Sequence, residues 1–142
     1  ANYKFRGTAT SAEYADLAER YEADAEYGAG TVVKIGGDKE ITQSTEEADI
    51  NVFGIISSAP GFEMNAGAGT DATHPFVALA GRVPCKVVGK IAKGDRVISS
   101  SIAGHAMAMS APADYGYAII GRALESKDTD EAGTIEVVVG AK

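Results

Sequence analysis

Few residues in this chain could do chemistry, and their types and spacing decide how far each can be taken. Its one cysteine, Cys85, lies in RVPCKVVGK (82–90). In a strand, Val83, Cys85, Val87 and Gly89 share one face, and Arg82, Pro84, Lys86, Val88 and Lys90 share the other. Cys85 therefore points into a core, away from the exposed, electropositive setting of a reactive thiolate. His74 precedes Pro75 in a loop, and His105 begins a strand; neither has a second ligand at metal spacing. Ser99, Ser100 and Ser101, with Asp95 and His105, supply hydrolase residue types. No glycine-flanked nucleophile elbow surrounds the serines, and they read as strand-end and turn residues. Asp128, Asp130 and Glu131 lack the alternating oxygen ligands of a calcium loop. The sequence therefore assigns no catalytic residue, metal site or cofactor.

Cations form the remaining cluster. Arg82, Lys86, Lys90, Lys93 and Arg96 fall within 15 positions. Residues 1–71 hold 5 basic and 13 acidic side chains, and the rest hold 8 and 7. A solvated sheet face accounts for the cluster. As a contact surface it would meet an acidic partner, such as the leader of another copy.

The elements that position these residues differ along the chain. Residues 1–29 are an acidic leader. Tyr3 and Phe5 stand in an extended arm. Thr10 and Glu13 have capping-box spacing, and Tyr14, Leu17, Ala18, Tyr21 and Ala25 form one helical stripe. The spacing predicts a short helix over 11–25, marginal alone and in need of a surface.

From Gly30 the period becomes that of strands. They are expected at 31–35, 39–42, 50–56, 75–81, 82–90, 96–100, 105–109, 117–125 and 134–140, with glycine and Asp/Asn punctuation. Residues 57–74 read as one long loop of small residues. The fold class is mainly β: a single small barrel or sandwich of eight or nine short strands over residues 30–142, preceded by the arm and helix. An internal repeat lays residues 29–59 on 93–126. Each unit opens at a glycine (Gly30, Gly94), runs through a β-branched strand and a turn, and closes on an apolar run broken by Gly54 or Gly121.

The whole chain narrows the function classes. Its 142 residues make one domain. Thirteen basic against 20 acidic residues give a net charge of −7, which argues against general nucleic-acid or membrane-surface binding. A single cysteine excludes an intrachain disulfide. No apolar run is long enough to span a bilayer as a helix.

Two longer stretches, EYADLAERYEADAEYGAGTVVKIGGDKEI…NVFGIISSAP and HPFVALAGRVPCKVVGKIAKGDRVISS…AIIGRALES…GTIEVVVGAK, carry a resemblance. Their acidic, tyrosine-rich leader, Gly-Gly-Asp turn, Gly-Arg-Val-Pro and Lys-Gly-Asp elements resemble tailed-bacteriophage (cyanophage-type) virion proteins. They are similar to capsid decoration, or cement, proteins and to the C-terminal chaperone-like domains of phage fibres. The resemblance spans about residues 12–141. It implies a non-enzymatic virion component on the outer capsid surface, present in the host cytoplasm during assembly. The implied partners are the major capsid protein and the chain itself, as a trimer rather than a dimer, with no nucleic acid and no membrane. The alternative it implies is a tail-fibre or appendage component, or a self-processing fibre-chaperone-type domain, although no nucleophile can be placed. On this reading the partner-binding residues are Tyr3, Phe5, Tyr14, Leu17 and Tyr21 of the leader and Arg82, Lys86 and Lys90 of the basic strand. Removing residues 1–22 should leave the β domain folded and abolish capsid binding.

Overall fold

A computed structural model describes residues 15–110 and 116–142. It contains ten strands, in the order β1 (Asp16–Arg20), β2 (Val32–Ile35), β3 (Ile41–Gln43), β4 (Val52–Ser57), β5 (Phe62–Met64), β6 (Phe76–Val87), β7 (Arg96–Ser99), β8 (Ala106–Ala108), β9 (Gly121–Ala123) and β10 (Gly133–Val139). Two single 3-10 turns, Ala66–Ala68 and Gly116–Ala118, are the helical elements described. The mainly β expectation holds, as a small barrel.

β6 organises the molecule. It is one 12-residue strand, where the sequence predicted two that met at Gly81 and Arg82. Its C-terminal half pairs antiparallel with β10, from Val87–Gly133 to Gly81–Val139. From there β10 pairs β9, β9 pairs β7, β7 pairs β8, and β8 returns to β6 through Val87–Ala106. These five strands close a ring. The N-terminal half of β6 pairs with β4, then β2 and β3, and on its other side with β1. A parallel bridge between Ala23 and Ile41 joins the chain after β1 to β3.

Closing strands into rings buries alternate side chains. Val83, Cys85, Val87, Val97, Ile135, Val137 and Val139 fill the main core, which continues to Val32, Ile55 and Ala78. A smaller cluster of Ala23, Val33, Ile41, Ile56 and Val77 lies on the opposite face of β2 and β4. Tyr21, Tyr27, Phe53 and Leu79 pack against it from the half-exposed side.

The internal repeat is visible in three dimensions. β2 is flanked by β3 and β4, and β7 by β8 and β9, all antiparallel. Val33 is the register partner of Gly54, and Val97 of Gly121. Both glycines exist for close approach. A Cβ on Gly54 would lie 2.6 Å from Ala78 O in β6, and one on Gly121 would lie 2.0 Å from Val138 O in β10. The opening glycines match as well, with φ of +90° at Gly30 and +93° at Gly94.

Three expectations are corrected. The helix predicted over 11–25 is a strand where it is described: Asp16–Arg20 forms β1. An alanine-rich stripe yields little local helix stability, and a run of β6 backbone was open for pairing, a non-local reward that periodicity does not register. Tyr3, Phe5, Thr10, Glu13 and Tyr14 lie outside the described residues. The boundary drawn at residue 29 also moves, because β1 belongs to the sheet. Removing residues 1–22 would strip a strand and not merely an arm. Finally, residues 57–74 are not one featureless loop. β5 runs parallel to β1 with Leu17–Phe62, Ala18–Glu63 and Glu19–Met64 as partners, and a 3-10 turn follows.

Candidate partner-binding site

The two groups of binding residues expected from the sequence are placed differently by the fold. Leu17 sits in β1, half-buried, beside Ala80 of β6 and Phe62 of β5. Tyr21 follows the strand and packs edge-on against Phe53, with ring centres 5.2 Å apart. Its hydroxyl donates to Glu19 Oε1 at 3.0 Å. Burial, reinforced by that carboxylate, pushes the phenol up to about 12. Leu17 and Tyr21 thus help hold the domain together and are not side chains of a detachable arm.

The basic strand divides in the same way. Arg82 Nη1 lies 3.5 Å from Glu136 Oε1 on neighbouring β10. The Lys86 ammonium donates to Thr31 Oγ1 at 3.0 Å, and its stem crosses Gly30. Lys90 alone of the three is exposed without a side-chain partner among the described residues. Arg82, Lys90, Lys93 and Arg96 remain exposed, and Lys86 is half-buried.

Other candidate groups are committed to backbone. Ser99 Oγ donates to Glu46 O at 2.7 Å and accepts from Asp49 N at 2.9 Å. Ser100 Oγ donates to His105 O at 2.7 Å. The Nδ1 atoms of His74 and His105 face Thr73 Oγ1 and Ala103 O. The Cys85 thiol is fully buried, which pushes it up to about 12. Among the described residues, no three His, Cys, Asp or Glu side chains converge at metal-holding distance.

Two residues that the helical reading passed over matter more. Arg20 clamps the 65–74 segment. Its Nε donates to Ala66 O (2.9 Å) and its Nη1 to His74 O (2.6 Å) and Asp71 Oδ1 (2.8 Å). Asp16 is 5% exposed. Its Oδ1 accepts from Gly61 N at 3.2 Å, and its Oδ2 has no partner among the described residues. Asp16, Ser57, Arg82 and Glu136 line a cleft of about 270 Å³ over an apolar floor of Ile56 and Val83. The cleft sets the carboxylates of Asp16 and Glu136 and the Arg82 guanidinium beside the Ser57 and Ser58 hydroxyls. A strand reading of 16–20 would have flagged both residues, since alternation sets Asp16, Ala18 and Arg20 on one face.

No protein-family model and no curated sequence matches this chain. The site has to be read from its own geometry.

That geometry is a surface. Large apolar side chains stand exposed at Ile35 (61%), Ile50 (67%), Phe62 (62%), Ile102 and Tyr117. Ile35 and Ile50 are neighbours, because Ile35 N donates to Asn51 O at 3.1 Å. Tyr21, Ile35 and Ile41 line an apolar hollow beside them. Phe62 stands apart, on β5, near the point where residues 1–14 enter the fold at Ala15. Exposed apolar groups of this size are the anchors that protein contacts use.

Proposed function

We propose that this protein is a non-enzymatic structural component of a bacteriophage virion, a capsid decoration protein that binds the outside of the assembled head and bridges its subunits. The observation that supports it is the pairing of a small β barrel with isolated exposed apolar anchors, Ile35, Ile50 and Phe62. Such a domain contributes contact area rather than chemistry. The virion setting rests on the resemblance of its leader and its Gly-Arg-Val-Pro and Lys-Gly-Asp segments to phage structural proteins. A protein that binds only the assembled shell stabilises it by mass action, by RT ln(1 + [L]/Kd) per site.

The test is co-sedimentation of the purified chain with expanded, undecorated capsids. Saturable binding at a fixed ratio to the major capsid protein supports the proposal. A chain lacking residues 1–14 keeps β1 and the Arg20 clamp, so it should fold and bind more weakly. A stable oligomer that leaves capsids untouched would overturn the decoration reading and favour a fibre or appendage component.

A further inference from the structure

The cleft between β1, β4, β6 and β10 holds a charge that the described fold does not balance. Asp16 and Ser57 line it and are only 5% and 7% exposed. Gly61 N donates to Asp16 O at 2.8 Å and to Asp16 Oδ1 at 3.2 Å, which fixes the side chain. Asp16 Oδ2 is buried without a hydrogen-bond partner, and no cation pairs with this carboxylate among the described residues. Ser57 Oγ, which makes no hydrogen bond to a described residue, stands in the same wall. Burying a carboxylate without a counter-charge is costly, and packing alone would be served better by an apolar residue.

The rest of the lining narrows the missing partner. Arg82 is the one cation in it, and Glu136 already engages that guanidinium at 3.5 Å. The pair cancels, so the cleft keeps one net negative charge, on Asp16. An anion is repelled, and a neutral ligand leaves the charge unbalanced. Ile56, Val83 and Pro84 supply apolar wall and floor. The volume, about 270 Å³, falls below the roughly 300–1,000 Å³ of sites for drug-sized ligands, so the cleft suits a group the size of a side chain. A carboxylate, a hydroxyl acceptor and an apolar floor together complement a primary ammonium on an alkyl stem.

We propose that this cleft binds an alkylammonium group, with the charge beside Asp16, an N–H donated to Ser57 Oγ and the stem over Ile56 and Val83. Two sources carry that chemistry, a lysine side chain of a protein segment and a free polyamine. A smaller hollow shares Ser57 and Ser58 with the cleft and adds Glu26, so a second ammonium on a polyamine meets a carboxylate of its own. The site uses none of the exposed anchors Ile35, Ile50 and Phe62, so the inference goes beyond capsid binding and is tested without capsids.

The experiment is a proton–nitrogen NMR titration of the full chain with n-butylammonium chloride, acetyl-Gly-Lys-Gly-amide and spermidine, with n-butanol and butyrate as neutral and anionic controls. The amides of Ile56, Ser57, Ser58 and Val83 should shift saturably with the three amines and with neither control. Asp16→Asn keeps an oxygen for Gly61 N and removes the charge, so it should weaken binding roughly tenfold, as expected for a lost charge-assisted contact. Ser57→Ala should weaken it about threefold, the effect of a lost neutral hydrogen bond, and reads the site independently if Asp16→Asn does not fold. Asp128→Asn, at an exposed carboxylate outside the cleft, should change nothing. Tighter binding of spermidine than of the lysine peptide assigns the site to a free polyamine, and the reverse assigns it to a protein side chain. Absence of saturable shifts, equal shifts with n-butanol, or equal weakening by Asp128→Asn would each overturn the inference. Capsid binding that persists in those cases would leave the decoration proposal standing.

Discussion

The Arg20 guanidinium carbon lies 4.0 Å above the centre of the Phe76 ring. The two residues are register partners on β1 and β6, so the cation spreads over its own cross-strand neighbour before reaching Ala66, Asp71 and His74. One side chain thereby joins the start of β6 to the segment that precedes it.

Replacing Arg20 with Ala should therefore free residues 65–74 and cost about 2–3 kcal/mol. The figure combines charged hydrogen bonds to two carbonyls with the cation–π contact. Asp71 is largely exposed, so its ion pair adds little. Hydrogen exchange should rise selectively in 65–74, while Arg20→Lys, which lacks the planar fork, should recover only part of the loss. Unchanged exchange in that segment would show that the clamp is dispensable.

The paired glycines of the repeat make a second test. Gly54→Ala and Gly121→Ala each drive a methyl into a neighbouring strand's carbonyl. Each should destabilise by about 3 kcal/mol, the upper range for overpacking. Gly67→Ala, with nothing within 4 Å, should stay within about 0.5 kcal/mol. Urea midpoints compare all three directly, and equal midpoints would contradict the close approach.

Cys85 should resist thiol reagents at pH 8 in the native protein and react fully once unfolded. Burial both blocks access and suppresses the thiolate. Cys85→Ser should cost about 2 kcal/mol, because it places a hydroxyl among Val83, Val87 and Ile135. Rapid native labelling would show that this part of the barrel opens.

Acid stability should depend on Asp49. Its burial alone would raise the carboxyl, but the Asn51 N–H and the Lys34 ammonium 2.9 Å away outweigh it and hold the group below the usual carboxylate range. A depressed folded value stabilises the protein above the unfolded carboxyl value, near 4, and that stability is lost as pH falls through the folded value. Asp49→Asn should lower stability at pH 7 and flatten the acid limb below about pH 4. A parallel, unflattened limb would locate the acid sensitivity elsewhere.

Much of this architecture was legible in the residues. Alternation in RVPCKVVGK placed Cys85 inside and Arg82 and Lys86 outside, because a strand's period of two holds wherever one face is buried. The matched glycines of 29–59 and 93–126 announced two similar three-stranded units, since only glycine permits those crossings. Residues 16–20 went the other way. Their helical stripe was real as a pattern, yet open β6 backbone and the Phe76 ring made the strand the better state. The partners of the basic strand were out of reach of the sequence for a related reason. Glu136 and Thr31 are 54 and 55 positions from Arg82 and Lys86, and sequence spacing carries no trace of who lies across a sheet.

The chain by itself determined a mainly β domain, its repeat and its core face along β6. Only the tertiary structure decided that Leu17 and Tyr21 belong to the domain, that half-buried Arg20 and buried Asp16 are partners of the 57–74 segment, and that β5, among the described residues, pairs with β1 alone. Local patterns follow from backbone geometry within a few residues. Edge exposure, charge pairing and the choice between helix and strand depend on which distant backbone closes the ring.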